Sequence, residues 1–296
     1  MSASPKASGA APSGASDRAL TVKTDDGSFR VVTLCTTETV RGVIAAQKAR
    51  GQSAELLADL VTGALLVRLT MAPDLRLQAV VRGEAARGTL VADCFPDGSS
   101  RGLLREPSGA PIRLGRGAMM QVMRSLPNGT TQQGVVDVPG DQGISGAFMA
   151  YMADSEQVTS LVGVGCVMDG DRVVHAGGWM VQLLPEHTEP PLALMYQRAQ
   201  HELADTRALL SRVDGDPVRL AEEILWGMDY SPTAEHALGY ACRCTKERVL
   251  ASMAALGPED LADILEKNET LFVTCDYCGT PYEVQPEALR GLVDAS

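Results

Sequence analysis

The chain has 296 residues, a formal charge of −11 and a pI near 4.9, an acidic balance that argues against a broad nucleic-acid surface, because phosphate binding draws on an excess of Lys and Arg. A content of 45% hydrophobic and 21% charged residues suits a soluble globular protein long enough for two domains, while 4% aromatics leave the core to Val, Leu, Ile, Ala and Met. No apolar run reaches the roughly 18–20 residues of a membrane span; the best candidate, Leu56 to Leu69, is broken by Asp59 and Arg68.

Met1 to Ser16 are Ala, Ser, Gly and Pro with one Lys, and lack the apolar middle of a secretory signal. The segment 1–19 reads as a disordered tail. Phe29 to Thr33 reads as a strand. Val40, Val43, Ile44 and Gln47 fall at helical spacing, and Ser53 is placed to cap a second helix bearing Leu56, Leu57, Leu60, Val61, Ala64 and Leu65. Leu75, Leu77, Ala79 and Val81 alternate as a strand with Thr89 to Phe95 as its partner. Asn128-Gly129 joins Met119–Arg124 to Thr130–Val138, and Asp169-Gly170 joins Val158–Met168 to Arg172–His175, as hairpins. Ile144 to Met152 is expected to be a helix, and Trp179 to Leu184 a closing strand before Pro185, Pro190 and Pro191.

The texture then changes. Leu192 to Val213 is helical in pattern, and Asp216-Pro217 reads as N-cap and N1 of a helix running to Trp226, with Gly227 as its stop. Thin apolar stripes among many charges imply helices that depend on what they dock against. Val249, Leu250, Met253 and Leu256 share one helical face. Gly257-Pro258 opens a helix with Leu261, Ile264 and Leu265, Leu271–Thr274 and Tyr282–Val284 form a hairpin, and Pro286 starts a last short helix. The expected fold is α+β: a strand-rich N-terminal domain with helices at 20–187, a helical linker at 188–241 and a small C-terminal α+β module at 242–296.

Chemistry concentrates in that module. Cys242-Arg243-Cys244 and Cys275-Asp276-Tyr277-Cys278 are two close pairs, with Gly279 following as a tight metal-holding turn wants. Four thiolates closing a tetrahedral site are the form structural Zn²⁺ takes, so Cys242, Cys244, Cys275 and Cys278 are the candidate metal ligands. Each pair is also near enough to close its own disulfide. The 55 residues from Cys242 to Ser296 form a core of about 3–5 kcal/mol at best, whereas structural zinc contributes roughly 10–16 kcal/mol. Losing the metal should therefore unfold the module. A thiolate metal site without an export signal points to the cytoplasm.

Other residues carry less. Cys35, Cys94 and Cys166 lie in apolar or strand contexts and read as inert buried thiols. His175, His187, His201 and His236 share no metal spacing, and the Gly115-Arg116-Gly117 and Gly177-Gly178 segments read as turns or bulges because no Lys-Ser/Thr follows. Met119, Met120, Met123, Met149, Met152, Met168 and Met180 read first as core filling, with an adaptable binding face as the alternative. Two other functions compete. A thiol-disulfide oxidoreductase would use Cys275 and Cys278 but needs a thioredoxin-like helix N-terminus, and a zinc-stabilised adaptor for nucleic acid or protein runs against the acidic balance.

The cysteine pairs with Glu247-Arg248, Leu256 and Ile264-Leu265 between them, together with Gln133-Gly134-Val135-Val136, Ser155-Glu156-Gln157, Ala176-Gly177-Gly178 and Gln182-Leu183-Leu184-Pro185, resemble the heat-shock-protein-33 family of redox-regulated chaperones over nearly everything after the tail. The resemblance implies that the four cysteines hold zinc when reduced, and that oxidation pairs Cys242 with Cys244 and Cys275 with Cys278. It also implies an ATP-independent holdase rather than an enzyme, one that binds unfolding client proteins once the module and linker unfold, as a homodimer in the oxidised state. The tail lies outside the family pattern, and the N-terminal third matches it only loosely.

Overall fold

Strict alternation of Leu77, Ala79 and Val81, all fully buried, against the outward Gln78, Val80 and Arg82 makes β3 (Arg76–Arg82) a strand with one core face. The computed structural model describes residues 17–106, 110–126, 128–185, 189–253, 264, 266 and 268–293. In it β3 sits in a six-stranded sheet ordered β11-β5-β4-β3-β6-β7, with β4 Thr89–Cys94, β5 Ser99–Arg105, β6 Met119–Ser125, β7 Thr131–Asp137 and β11 Gly239–Tyr240. A five-stranded sheet is ordered β10-β1-β2-β9-β8, with β1 Arg18–Thr24, β2 Phe29–Cys35, β8 Ser160–Asp169, β9 Arg172–Leu183 and β10 Tyr230–Ala237.

The sheets share a core through α1 (Thr37–Gln47), α2 (Gly51–Leu69) and α3 (Gly143–Asp154). Helix α2 is buried on nearly every side from Leu57 to Arg68, which explains why it is apolar all round rather than striped. The second core lies on the opposite face of the five-stranded sheet. There α4 (Glu189–His201), α5 (Thr206–Arg212) and α6 (Pro217–Ile224) cover Leu20, Val22, Phe29, Val31, Trp179 and Val181 with Met195, Leu203, Leu209, Leu210, Val213, Leu220, Ala221, Ile224 and Leu225.

The expected hairpins at Asn128-Gly129 and Asp169-Gly170 form as β6–β7 and β8–β9. Asp216 caps α6 with its carboxylate on the N–H groups of Val218 and Arg219, ahead of Pro217 at N1. Five details differ from the sequence reading. Ser53 does not cap α2, which starts at Gly51; its hydroxyl receives the N–H of Ile112 instead. Trp179–Leu184 is not a separate strand but the end of β9, continuous from Arg172. Helix α6 ends at Ile224, two residues short of Trp226. Beyond it the chain re-enters both sheets as β10 and β11, and β1 begins at Arg18, inside the segment read as tail.

The C-terminal module holds α7 (Lys246–Met253), a hairpin of β12 (Leu271–Thr274) and β13 (Pro281–Val284), and α8 (Pro286–Val293). Val249, Met253, Val284 and Leu289 form its small core. The helix expected to open at Gly257-Pro258, like Leu256, lies outside the described residues, except for Ile264, which is helical.

Candidate metal centre

The two cysteine pairs reach one point by different routes. Cys242 and Cys244 follow β11, which pairs in parallel with β5 and continues in the bond from Ala241 N–H to Ser100 O. Cys275 and Cys278 form the turn between β12 and β13, closed by Gly279 N–H on Cys275 O and Cys275 N–H on Thr280 O. Gly279 sits at φ +72°, the left-handed backbone that the turn demands.

The four Sγ atoms lie within 4.8 Å of one another, with Cys242 3.8 Å from Cys275 and Cys244 3.4 Å from Cys278. Tetrahedral zinc with bonds of about 2.3 Å needs sulfurs about 3.8 Å apart, so the residues fit the ion. Soft thiolates in a closed set of four suit zinc in a structural role. Cys35, Cys94 and Cys166 lie elsewhere, and burial pushes the thiols of Cys35 and Cys94 up and that of Cys166 to about 12. Cys94 and Cys166 are buried as their contexts indicate, whereas Cys35, expected to be buried, is only half-buried, with its Sγ beside the Asp17 carboxylate and the Thr37 hydroxyl.

Local hydrogen bonds tune the cluster. Burial raises the thiols of Cys242, Cys244 and Cys275, in part offset by donors: Arg101 at 3.7 Å from Cys242 Sγ, the Tyr282 hydroxyl at 3.0 Å from Cys244 Sγ, and the N–H groups of Tyr277 and Cys278 on Cys275. At Cys278 burial also opposes the thiolate, but the hydroxyl and N–H of Thr280, together with hydrogen bonds from Cys244 and Cys242, outweigh it and bring the thiol down to about 7.

The cluster is held against the six-stranded sheet by residues that sequence reasoning missed. Gln47, at the end of α1, donates its side-chain N–H to the carbonyls of both Asp276 and Tyr277 at 2.9 Å, and accepts Leu104 N–H. Arg105 pairs with Asp276 at 2.7 Å. Arg101 stacks its guanidinium 3.8 Å from the centroid of the Tyr277 ring and pairs with the fully buried Asp93, which also binds Arg76. Arg243, between the first two cysteines, lies over Phe95 and pairs with Asp97. One signal in the sequence could have found this: Asp93 stands between Val91-Ala92 and Cys94 in a buried strand, and a buried carboxylate requires partners.

Among the described residues no helix is long and apolar enough to cross a membrane. The Hsp33 protein family model matches residues 17–285. The 33 kDa chaperonin of Syntrophotalea carbinolica is 30% identical over 94% of this chain and 99% of its own length, and that of Thermus thermophilus 31% identical over 90% and 84%. The crystal structure of the 33 kDa chaperonin (heat shock protein 33 homolog) of Thermotoga maritima superposes with a TM-score of 0.78 at 21% identity, over 95% of this chain and 98% of that one, a likeness of fold. A match over most of the chain, relatives aligned nearly end to end, and a four-cysteine cluster that fits zinc together place this chain in the Hsp33 family of chaperones.

Proposed function

We propose that the chain is a redox-regulated, ATP-independent holdase whose switch is the cluster of Cys242, Cys244, Cys275 and Cys278. In the reduced state the four thiolates hold Zn²⁺ and keep residues 242–296 folded. Oxidation joins Cys242 to Cys244 and Cys275 to Cys278: four thiolates lose four electrons to two equivalents of a peroxide, which takes up protons and leaves as water, and the metal is released. With its ligands gone the module loses the contribution that outweighs its small core. The linker, residues 188–241, then loosens from the core at 20–187.

The observation that carries this reading is continuity. The first cysteine pair follows β11 directly, β11 follows β10, and β10 follows the helices that cover the apolar face of Leu20, Val22, Phe29, Val31, Trp179 and Val181. Release of the linker would bare that face and the linker's own leucines to unfolding proteins. The oxidised protein acts in the cytoplasm as a homodimer, with non-native clients as partners and no catalytic turnover. Cys275 and Cys278 lie in a hairpin turn rather than at a helix N-terminus, which favours metal holding over dithiol catalysis.

The test compares suppression of aggregation of a heat-unfolding client by reduced, zinc-loaded protein and by peroxide-treated protein. Strong suppression by the oxidised form alone is expected. Equal suppression by both forms removes the redox gate.

A further inference from the structure

Asp93, with no solvent exposure, is shared by two guanidiniums, Arg76 at 2.6 Å and Arg101 at 2.8 Å. One positive charge is left in excess, and Arg101 carries it toward the cysteines. Only 15% of its side chain is exposed, it donates to Cys242 Sγ at 3.7 Å, and it lies flat on Tyr277 between the second pair. A single side chain on β5 thus touches Cys242 of the first pair and Tyr277, the residue preceding Cys278 of the second.

The charge on the cluster depends on its state. A divalent cation held by four thiolates carries a net charge of about −2, whereas two disulfides carry none. A guanidinium desolvated beside the cluster interacts far more strongly with the first than with the second. The neighbouring acidic groups do not compete, since Asp276 is paired with Arg105 and Asp97 with Arg243.

We infer that Arg101 is a positioning residue that docks the metal-bearing module onto the N-terminal sheet by recognising the anionic thiolate cluster and the Tyr277 ring together, so that docking is tied to the state of the cysteines. The inference rests on the reading of the cluster as a metal site. It extends that reading by adding a contact, outside the ligand set, through which the cluster acts on the rest of the chain. Gln47 supplies the neutral half of the same grip through the carbonyls of Asp276 and Tyr277.

The test uses the full-length, reduced, zinc-loaded protein without oxidant or client, so it does not depend on the redox gate. Hydrogen exchange is followed at β11, whose protection includes the bond from Ala241 N–H to Ser100 O, with zinc stoichiometry and far-UV circular dichroism measured in parallel. Arg101→Met is expected to keep one zinc and the same helix content while β11 exchanges about tenfold faster or more. Tyr277→Leu, which removes the stack from the other side, should do the same. Arg101→Lys, retaining the charge without the planar fork, should recover part of the protection. Unchanged exchange in both Arg101→Met and Tyr277→Leu overturns the inference, and Arg101→Lys exchanging as fast as Arg101→Met overturns its charge component. Wild-type protein that binds no zinc overturns the metal reading and the docking argument with it.

Discussion

Tyr240 of β11 lies across Gly42 of α1 so closely that a β-carbon on Gly42 would stand 2.7 Å from the Tyr240 Cβ and Cγ atoms. The contact is with the root of the side chain, which cannot swing aside without moving β11. Alanine is favoured over glycine inside a helix by about 1 kcal/mol, so Gly42→Ala would stabilise α1 if nothing faced it. Here the clash should win. The variant is expected to lose thermal stability and β11 protection while α1 stays helical, and a rise in Tm would show that Tyr240 is not seated as described.

Arg198 should hold the linker helices together. It is 5% exposed, and its guanidinium donates to the carbonyls of Glu223 and Ile224 at the end of α6 and of Trp226 just beyond it, while pairing with Glu202, which directly follows α4. Helix ends leave such carbonyls without intrahelical partners. Arg198→Met keeps much of the apolar stem but strands them, at an expected cost of about 2–4 kcal/mol in urea unfolding of the reduced protein. Binding of a hydrophobic dye should rise as the linker loosens. Unchanged stability and dye binding would mean that α4 and α6 are held by their apolar faces alone.

Asp59 makes stability depend on pH. Burial pushes its carboxyl up to about 7, with Arg207 pulling it down and Glu55 pushing it up, and one of its oxygens has no hydrogen-bond partner among the described residues. The folded state therefore retains a proton that the unfolded chain, with an ordinary aspartate, releases near pH 4. Stability from this residue is present below pH 4, falls as pH rises from about 4 to 7, and is lost above. Asp59→Asn should accordingly help more at pH 8 than at pH 5, by roughly 1–3 kcal/mol, with Arg207 still held by Glu55 at 2.8 Å. The same Tm change at both pH values would place the titration elsewhere.

Cys275→Ser removes one of the four proposed ligands. Loss of a group that merely hydrogen-bonds a metal ligand costs about 10–100-fold in metal affinity, so a lost thiolate should cost at least a hundredfold, and the module should loosen without any oxidant. Competition with a colorimetric chelator measures the first effect and proteolysis of residues 242–296 the second. A serine variant that stays folded with one tightly bound zinc would contradict the four-ligand assignment.

Much of this arrangement was legible in the chain where local chemistry decides it. Asn128-Gly129 specifies its hairpin, Asp216-Pro217 its helix start, and the cysteine spacing its cluster, because each signal acts within a few residues. The strands that tie the linker to the core were not legible. Tyr230–Ala237 reads as a polar stretch interrupted by Pro232, and becomes β10 only because β1 offers an edge, with the pairing register shifting between Ala234 and Pro232. Proline is tolerated at such an edge irregularity. Ser99–Arg105 is equally polar, yet it carries Arg101 and Arg105, whose meaning comes from Tyr277 and Asp276 more than 170 positions away in the chain. Asp17 likewise caps α1 from a distance, accepting the N–H groups of Glu38 and Thr39. The fold class and the clustering of the four cysteines follow from short-range pattern, and the docking of the cluster onto the sheet follows from contacts that no window of sequence contains.

The most direct measurement follows zinc release and far-UV circular dichroism together as reduced, zinc-loaded protein is titrated with hydrogen peroxide under mild warming. Release of one zinc per chain in step with loss of helix, both reversed by dithiothreitol and added zinc, is the predicted result. Zinc retained with an unchanged spectrum after peroxide treatment would make the four cysteines a static staple and contradict the switch.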